Sequence, residues 1–251
     1  MNAAELVEAL ELPPASRVDR RVPKGLLVEN GAPTAADKRR INEGIEECRW
    51  LATLKPTTIS VPEYRDAQRE YVEINVLFLS LRAGAKVGRL LELVHRAVPY
   101  PLVLISDGED PTVSLAHKRW SQSEVGKTVL DGELLIGQGL ACAGTEIERA
   151  LGEHLALSRL PRAELYAVYQ GWIDVLLAYQ AARRTGRFEL QVGPGRAQAR
   201  AAALHECARL DSEGARLRAA AQKEKQIARR VELNLELKRI EAALTAAKDK
   251  L

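Results

Sequence analysis

Two β-branched apolar runs with a helix-length segment between them leave a chain few folds to adopt. Residues 71–120 read as strand, helix, strand, strand: YVEINVLFLSL, GAKVGRLLELVHRAV, PYPLVLIS and TVSLAHKRW. In the first run, alternation gives way to continuous apolar residues at Val76–Leu79, which predicts a strand whose second half is covered on both faces. Val87, Leu90, Leu91, Val94 and Val98 recur at helical spacing until Pro99 ends the pattern. Leu102–Ile105 is a fully apolar strand, and the turn Asp107-Gly108-Glu109-Asp110-Pro111 sends Thr112–Arg119 back beside it. Lys127–Ile136 supplies a further arm. A strand–helix–strand crossover is right-handed in nearly all sheets, so the expected architecture is α+β, with helix packed on a mixed sheet.

The flanks read less distinctly. Residues 3–11 suit a short helix stopped by Pro13-Pro14, and Asn30-Gly31 is a strong turn pair. Thr34 reads as the N-cap of a helix reaching about Leu54, with Ile41, Ile45, Cys48 and Leu51 on one face. TTISV is a short strand candidate, and Glu63 to Glu70 reads as loop. Beyond Gly137 the texture turns helical, with Phe188–Val192 the one further strand candidate. Thr145 with Glu148 forms a capping-box pattern for a helix to about Ser158, and Pro161 opens a second helix to Arg184. After Gly193-Pro194-Gly195, one Ala- and Arg-rich helix is expected almost to Leu251. The expected organisation is an α/β domain over 1–140, a helical hairpin over 141–192 and a long basic helix over 193–251.

That last helix carries a repeat at its end. Leu233, Leu237, Ile240, Leu244, Ala247 and Leu251 alternate spacings of four and three, the a/d stripe of a short coiled coil. Three uses fit the pattern. The stripe can pack on its own domain, it can bind a partner or a second copy through Leu233, Leu237, Ile240 and Leu244, or the helix can lie along a phosphate backbone with Arg229 and Arg230.

Charge and cysteine usage narrow the setting. With 37 basic and 34 acidic residues the net charge is only +3, so any basic surface must be local. Cys48, Cys142 and Cys207 are far apart and odd in number, which points away from a disulfide framework or a zinc site and toward a reducing compartment. The first residues carry acids where a secretory leader carries Lys or Arg, and no apolar run approaches the eighteen or so residues of a membrane span. A cytoplasmic location, with no membrane contact, is the expectation.

Few motifs point to catalysis. Gly126-Lys127-Thr128 lacks the glycine five residues earlier that a phosphate-cradling loop needs, since position 121 is Ser. Glu92 and His95 lie one helical turn apart, but a carboxylate-bridged metal site needs that pair twice. No motif calls for a cofactor or a metal. A metal-dependent nuclease would need carboxylates gathered at strand ends, for which Glu73, Asp107, Asp110 and Lys118 are the candidates. The most pointed cluster is His117-Lys118-Arg119-Trp120. On a strand His117 and Arg119 share one face, and Lys118 and Trp120 the other. Cations beside an indole can hold phosphates and stack a base; equally, they can blunt a sheet edge while the indole covers the core rim.

LVENGAPTAADKRRI, WLATLKPTTISVP, REYVEINV, LVHRAVPYPLVLI, VSLAHKRWSQ and KEKQIARRVELNLELKRIE, taken together and in that order, resemble a bacterial family catalogued as domain of unknown function 4391. The likeness runs from about Arg20 to Leu244. Members of that family are often encoded beside DNA methyltransferases and helicase-like ATPases of restriction-type or phage-defence cassettes. The resemblance therefore implies a protein working alongside DNA-modifying machinery, with a helicase or DNA methyltransferase as partner and DNA as a further contact. It assigns no catalytic residue; only His117, Lys118 and Arg119 fall in its most recognisable motif. Two functions are consistent with all of this: a non-catalytic accessory subunit, and a divergent metal-dependent nuclease.

Overall fold

In the computed structural model, residues 2–108, 110–138, 145–193 and 195–251 are described. Cys142, Glu109 and Pro194, named above, lie outside the described residues. The chain divides into two compact units, Met1–Leu176 and Leu177–Leu251.

The first unit is built on a six-stranded mixed sheet. Its strands in chain order are β1 (Arg17–Arg21), β2 (Ile45–Leu54), β5 (Ile74–Leu81), β6 (Leu102–Ser106), β7 (Thr112–Trp120) and β8 (Thr128–Gly137), and they lie side by side in that order. A separate two-stranded ribbon, β3 (Tyr64–Arg65) with β4 (Glu70–Tyr71), occupies the stretch that reads as loop. Within the large sheet every pairing is antiparallel except β5 with β6, which run parallel from Asn75↔Leu102 to Leu79↔Ser106. A parallel pair needs a crossover, and α5 (Val87–Ala97) supplies it.

Helices α2 (Lys24–Gly31), α3 (Ala35–Gly44) and α5 cover one face. Leu27, Ile41, Leu90, Leu91, Leu93 and Val94 pack there on Cys48, Leu77, Leu79, Leu102 and Leu104. Gly31 ends α2 inside this layer: a Cβ there would lie 2.4 Å from the Leu93 carbonyl oxygen and 2.9 Å from the Ala97 Cβ. The glycine is thus used for helix–helix approach, where the dipeptide alone suggests a turn.

Around the sheet, α1 (Ala3–Ala9), α4 (Pro56–Ile59), α6 (Glu146–Leu155) and α7 (Leu165–Thr185) complete the order. Thr145 and Glu148 cap α6 reciprocally, as the capping-box pattern predicts. Pro161 stands before α7, not in its first turn, and Thr57–Ile59 of TTISV form most of the single turn α4 instead of a strand. Phe188–Val192 forms no strand.

The helix expected to reach Leu54 stops at Gly44, and β2 takes over. A register irregularity between Ile45 and Glu47 resets the alternation, so the inward side chains Ile45 and Cys48 fall three apart, as they would on a helix.

The second unit contains a helical hairpin. The segment expected as one long helix is two, α8 (Arg196–Lys223) and α9 (Ile227–Lys248), which fold back at Glu224–Gln226. Cys207 and Leu210 pack on Leu244, Ala247 and Leu251, and Leu217 and Ala221 pack on Leu233 and Leu237. Those pairings make the helices antiparallel. On α8 the inward residues Arg200, Ala203, Cys207, Leu210, Gly214, Leu217 and Ala221 repeat at three and four, matching the stripe of α9.

Candidate functional site

The end of β7 is where the sheet gathers its polar and aromatic side chains, and strand alternation sends successive residues to opposite layers. Lys118 goes to the α5 side. It is 3 % exposed, and its ammonium donates to the carbonyls of His95 and Val98 at the C-terminal end of α5. Those carbonyls have no partner within the helix, and the negative end of the helix dipole favours a cation there. Burial lowers the Lys118 pKa to about 7. The ammonium is thereby committed to a helix end, so the expectation of Lys118 as a phosphate contact is corrected: depth in a layer is not something that strand alternation reveals.

His95, on the same helix, is also fully buried. Its Nε2 lies 2.9 Å from Ser114 Oγ, and its Nδ1 has no hydrogen-bond partner. An unpaired lone pair costs less than an unpaired N–H, so the proton belongs on Nε2, donating to Ser114. Burial, with the charge of Lys118 beside it, lowers the His95 pKa to about 3.

His117 goes to the opposite layer, toward α7. Gln170 Nε2 donates to Asp174 Oδ1 at 2.8 Å, which orients the amide and leaves Gln170 Oε1 to accept from His117 Nε2 at 2.9 Å. His117 Nδ1 is then a lone pair that accepts the Tyr71 hydroxyl. The Tyr166 ring stacks on the imidazole at 5.0 Å and 19°, and Tyr71 and Tyr169 meet it edge-on. Burial holds the His117 pKa below its ordinary value, with Arg69 acting in the same direction and the bond to Gln170 against it. The histidine is therefore neutral at physiological pH, with both nitrogens engaged.

Tyr169 is fixed by the sheet backbone: its hydroxyl accepts from the Ala116 N–H and lies 2.8 Å from the Leu102 carbonyl oxygen to which it donates. The arrangement closes a polar chain inside the layer, and its chemistry is that of a clamp holding α7 on the sheet.

Only the outer part of this cluster meets solvent. Arg69 donates twice to Asp131 Oδ2, at 2.6 and 3.0 Å, and its guanidinium lies 5.8 Å above the Tyr166 ring. Arg119 reaches the other oxygen of Asp131 at 3.5 Å. Trp120 is 36 % exposed, while its backbone N–H donates to the Gln68 carbonyl. Of the four residues in the motif, Arg119 and Trp120 thus remain on the surface.

Glu73 and Asp107 of the nuclease reading do not converge. Glu73 precedes β5 and pairs with Lys55 at 3.0 Å. Asp107 follows β6 and accepts from the Leu81 N–H at the far end of β5. Eight residues of strand separate those ends, about 26 Å at the usual rise, too far for two groups to share a metal. Lys118 is held beneath α5, its ammonium bonded to two backbone carbonyls. Glu92 ion-pairs with Arg89 and Arg96 while His95 turns inward, so that helical pair does not form a ligand set either. Among the described residues, no group of three or more His, Cys, Asp or Glu is placed to hold a metal ion.

On the hairpin, Leu233, Leu237, Ile240 and Leu244 face α8. Leu233 is buried there and Leu237, Ile240 and Leu244 are partly buried, so within the chain the stripe packs first against α8, the first of the three uses its pattern fits. Arg229 and Arg230 are exposed in the first turn of α9, and Arg229 pairs with Glu232 at 2.6 Å. Ile227, Val231 and Leu235 stand exposed on the same helix, at 71, 51 and 53 %. Sequence reasoning missed these three, although their spacing of four was the available signal. No described helix is long and apolar enough to cross a membrane.

A family model described as domain of unknown function (DUF4391) matches residues 10–244. Comparison with curated proteins found no match, and comparison with solved structures found none.

Proposed function

We propose, from the premise that the chain belongs to the DUF4391 family, that it is a non-catalytic accessory subunit of a restriction-type or phage-defence system. In this reading it docks a helicase or DNA methyltransferase and works against DNA. One observation carries it: Ile227, Val231 and Leu235 project from the side of α9 turned away from α8, one helical turn apart, each more than half exposed. Single exposed aliphatics are ordinary, but an aligned series on one helix is the form in which a helical surface offers anchors to a partner. The partly buried chain Tyr71–His117–Gln170–Asp174 supports the same reading, because its polar atoms bond one another within the layer.

The test is reconstitution of the full chain with a DNA methyltransferase and, separately, a helicase-like ATPase of a restriction-type cassette, followed by size exclusion with light scattering. A complex of summed mass is expected. Replacing Ile227, Val231 and Leu235 together by Ser should weaken it at least about tenfold, since burying each such side chain is worth roughly 1.5–3 kcal/mol. A wild-type chain that elutes alone with both proteins, or a triple variant that binds as well as wild type, would remove the accessory role. A mass doubled without either protein would assign the three residues to self-association instead.

A further inference from the structure

The net charge of +3 hides a strong segregation. Of the 37 Lys and Arg and the 34 Asp and Glu, six and one fall between Arg216 and Arg230, leaving 31 against 33 for the rest of the chain. The whole positive excess therefore sits on the closed end of the α8–α9 hairpin, and the remainder is slightly acidic.

All six cations, Arg216, Arg218, Lys223, Lys225, Arg229 and Arg230, are exposed. Arg218 and Arg229 pair with Glu241 and Glu232. Arg216, Lys223, Lys225 and Arg230 make no ion pair among the described residues. Beneath them Leu217 and Ala221 are buried against Leu233, so the cations ride on a packed seam. Arg216 and Lys223 lie seven residues apart on α8, about 10 Å along one side of it.

We infer that the closed end of this hairpin binds the phosphate backbone of double-stranded nucleic acid, without reading its sequence. A regular polyanion matches cations fixed at intervals on a rigid support, and it releases counterions when they bind. The size of the end favours the phosphate backbone over base readout. Two packed helices, with axes about 8–10 Å apart and each about 10 Å wide, present an end near 20 Å across, whereas the major groove is about 12 Å wide. The end therefore rests on the phosphates. The inference stands on charge and shape alone and holds whether or not a protein partner exists, so it can fail separately from the accessory role.

The experiment measures fluorescence polarisation of a short duplex of random sequence against the full chain, over a salt series starting near 50 mM. With four unpaired cations engaged, log K should fall against log salt with a slope of about −3 to −4, and duplexes of different sequence should bind alike. Replacing Arg216, Lys223, Lys225 and Arg230 by Ala should flatten the slope by about 3 or more and weaken binding at least about tenfold at the lowest salt. A charge-matched control, Arg20, Arg21, Lys38 and Arg39 to Ala, should keep both.

No binding at low salt, an unchanged slope in the hairpin variant, or equal loss in the control overturns the inference. So does tighter binding to poly-glutamate or to vesicles containing acidic lipid than to the duplex at equal salt, which would assign the cations to an acidic protein or a lipid surface.

Discussion

Lys118 in the sheet unit and Lys223 at the end of the hairpin carry the same ammonium in opposite surroundings. The first lies under α5 between two carbonyls and is held near neutrality by burial; the second is exposed beside five other cations. The glycines divide in the same way. Gly31 lets α2 lie against the backbone of α5, whereas a Cβ on Gly214 would meet its nearest atoms, in Arg218 and Ile240, at 3.5 and 3.7 Å. In the sheet unit, polar and small residues answer to neighbours already in place. In the hairpin they are set by the seam on one side and by solvent on the other. A residue's type therefore says little about its role until its layer is known.

The contrast can be broken most forcefully at Gly31. Gly31→Ala drives a methyl into the Leu93 carbonyl and should cost about 3 kcal/mol, read as a lower midpoint in urea unfolding; a change under about 1 kcal/mol would mean that α2 and α5 are not held at this distance. Lys118→Met keeps the volume but removes the donor from two carbonyls, and should cost about 2–3 kcal/mol by the same measurement. A neutral result there would deny the cap on α5.

Acid should act through His95. Its folded pKa of about 3 lies below the ordinary 6.5, so the unfolded chain takes up a proton before the folded one does. Its contribution is fully present above pH 6.5 and is lost as pH falls toward 3, about 2 kcal/mol of it between pH 7 and pH 5. His95→Gln should flatten that part of the stability profile, and a parallel profile would show that the imidazole is not buried neutral. The smallest effect should have the opposite sign: Gly214→Ala should stabilise the hairpin by up to about 1 kcal/mol, because alanine favours the helix and its methyl finds ordinary contacts. Destabilisation would mean that the seam is tighter at Gly214 than the 3.7 Å approach to Ile240 implies.

How much of this was legible depended on what each signal encodes. The β5–α5–β6–β7 core followed from apolar continuity and helical spacing, and the α6 cap from two residues three apart, because both are local patterns. β2 was misread because its irregular pairing puts Ile45 and Cys48 at a helical interval. The α8 half of the seam escaped because only Leu210 and Leu217 there are large aliphatics, while Ala203, Cys207, Gly214 and Ala221 are small and Arg200 is charged, although their spacing is regular. Within the candidate site, alternation separated His117 from Lys118 correctly but gave no depth, so the buried ammonium could not be anticipated. The tyrosine cluster was invisible for a different reason. Tyr64 and Tyr71 come from one ribbon and Tyr166 and Tyr169 from α7, about a hundred residues later, and only the folded sheet brings Tyr71, Tyr166 and Tyr169 to His117.

The three-residue link between α8 and α9 has a consequence for the order of assembly. Its closing contacts, Leu217 and Ala221 with Leu233, join positions near one another along the chain, so little loop entropy opposes them. The sheet must instead bring Ile45–Leu54 beside Ile74–Leu81 and wait for a crossover before β6 can align. On a nascent or refolding chain the hairpin should form on the microsecond scale typical of local helical contacts, while the sheet matures more slowly.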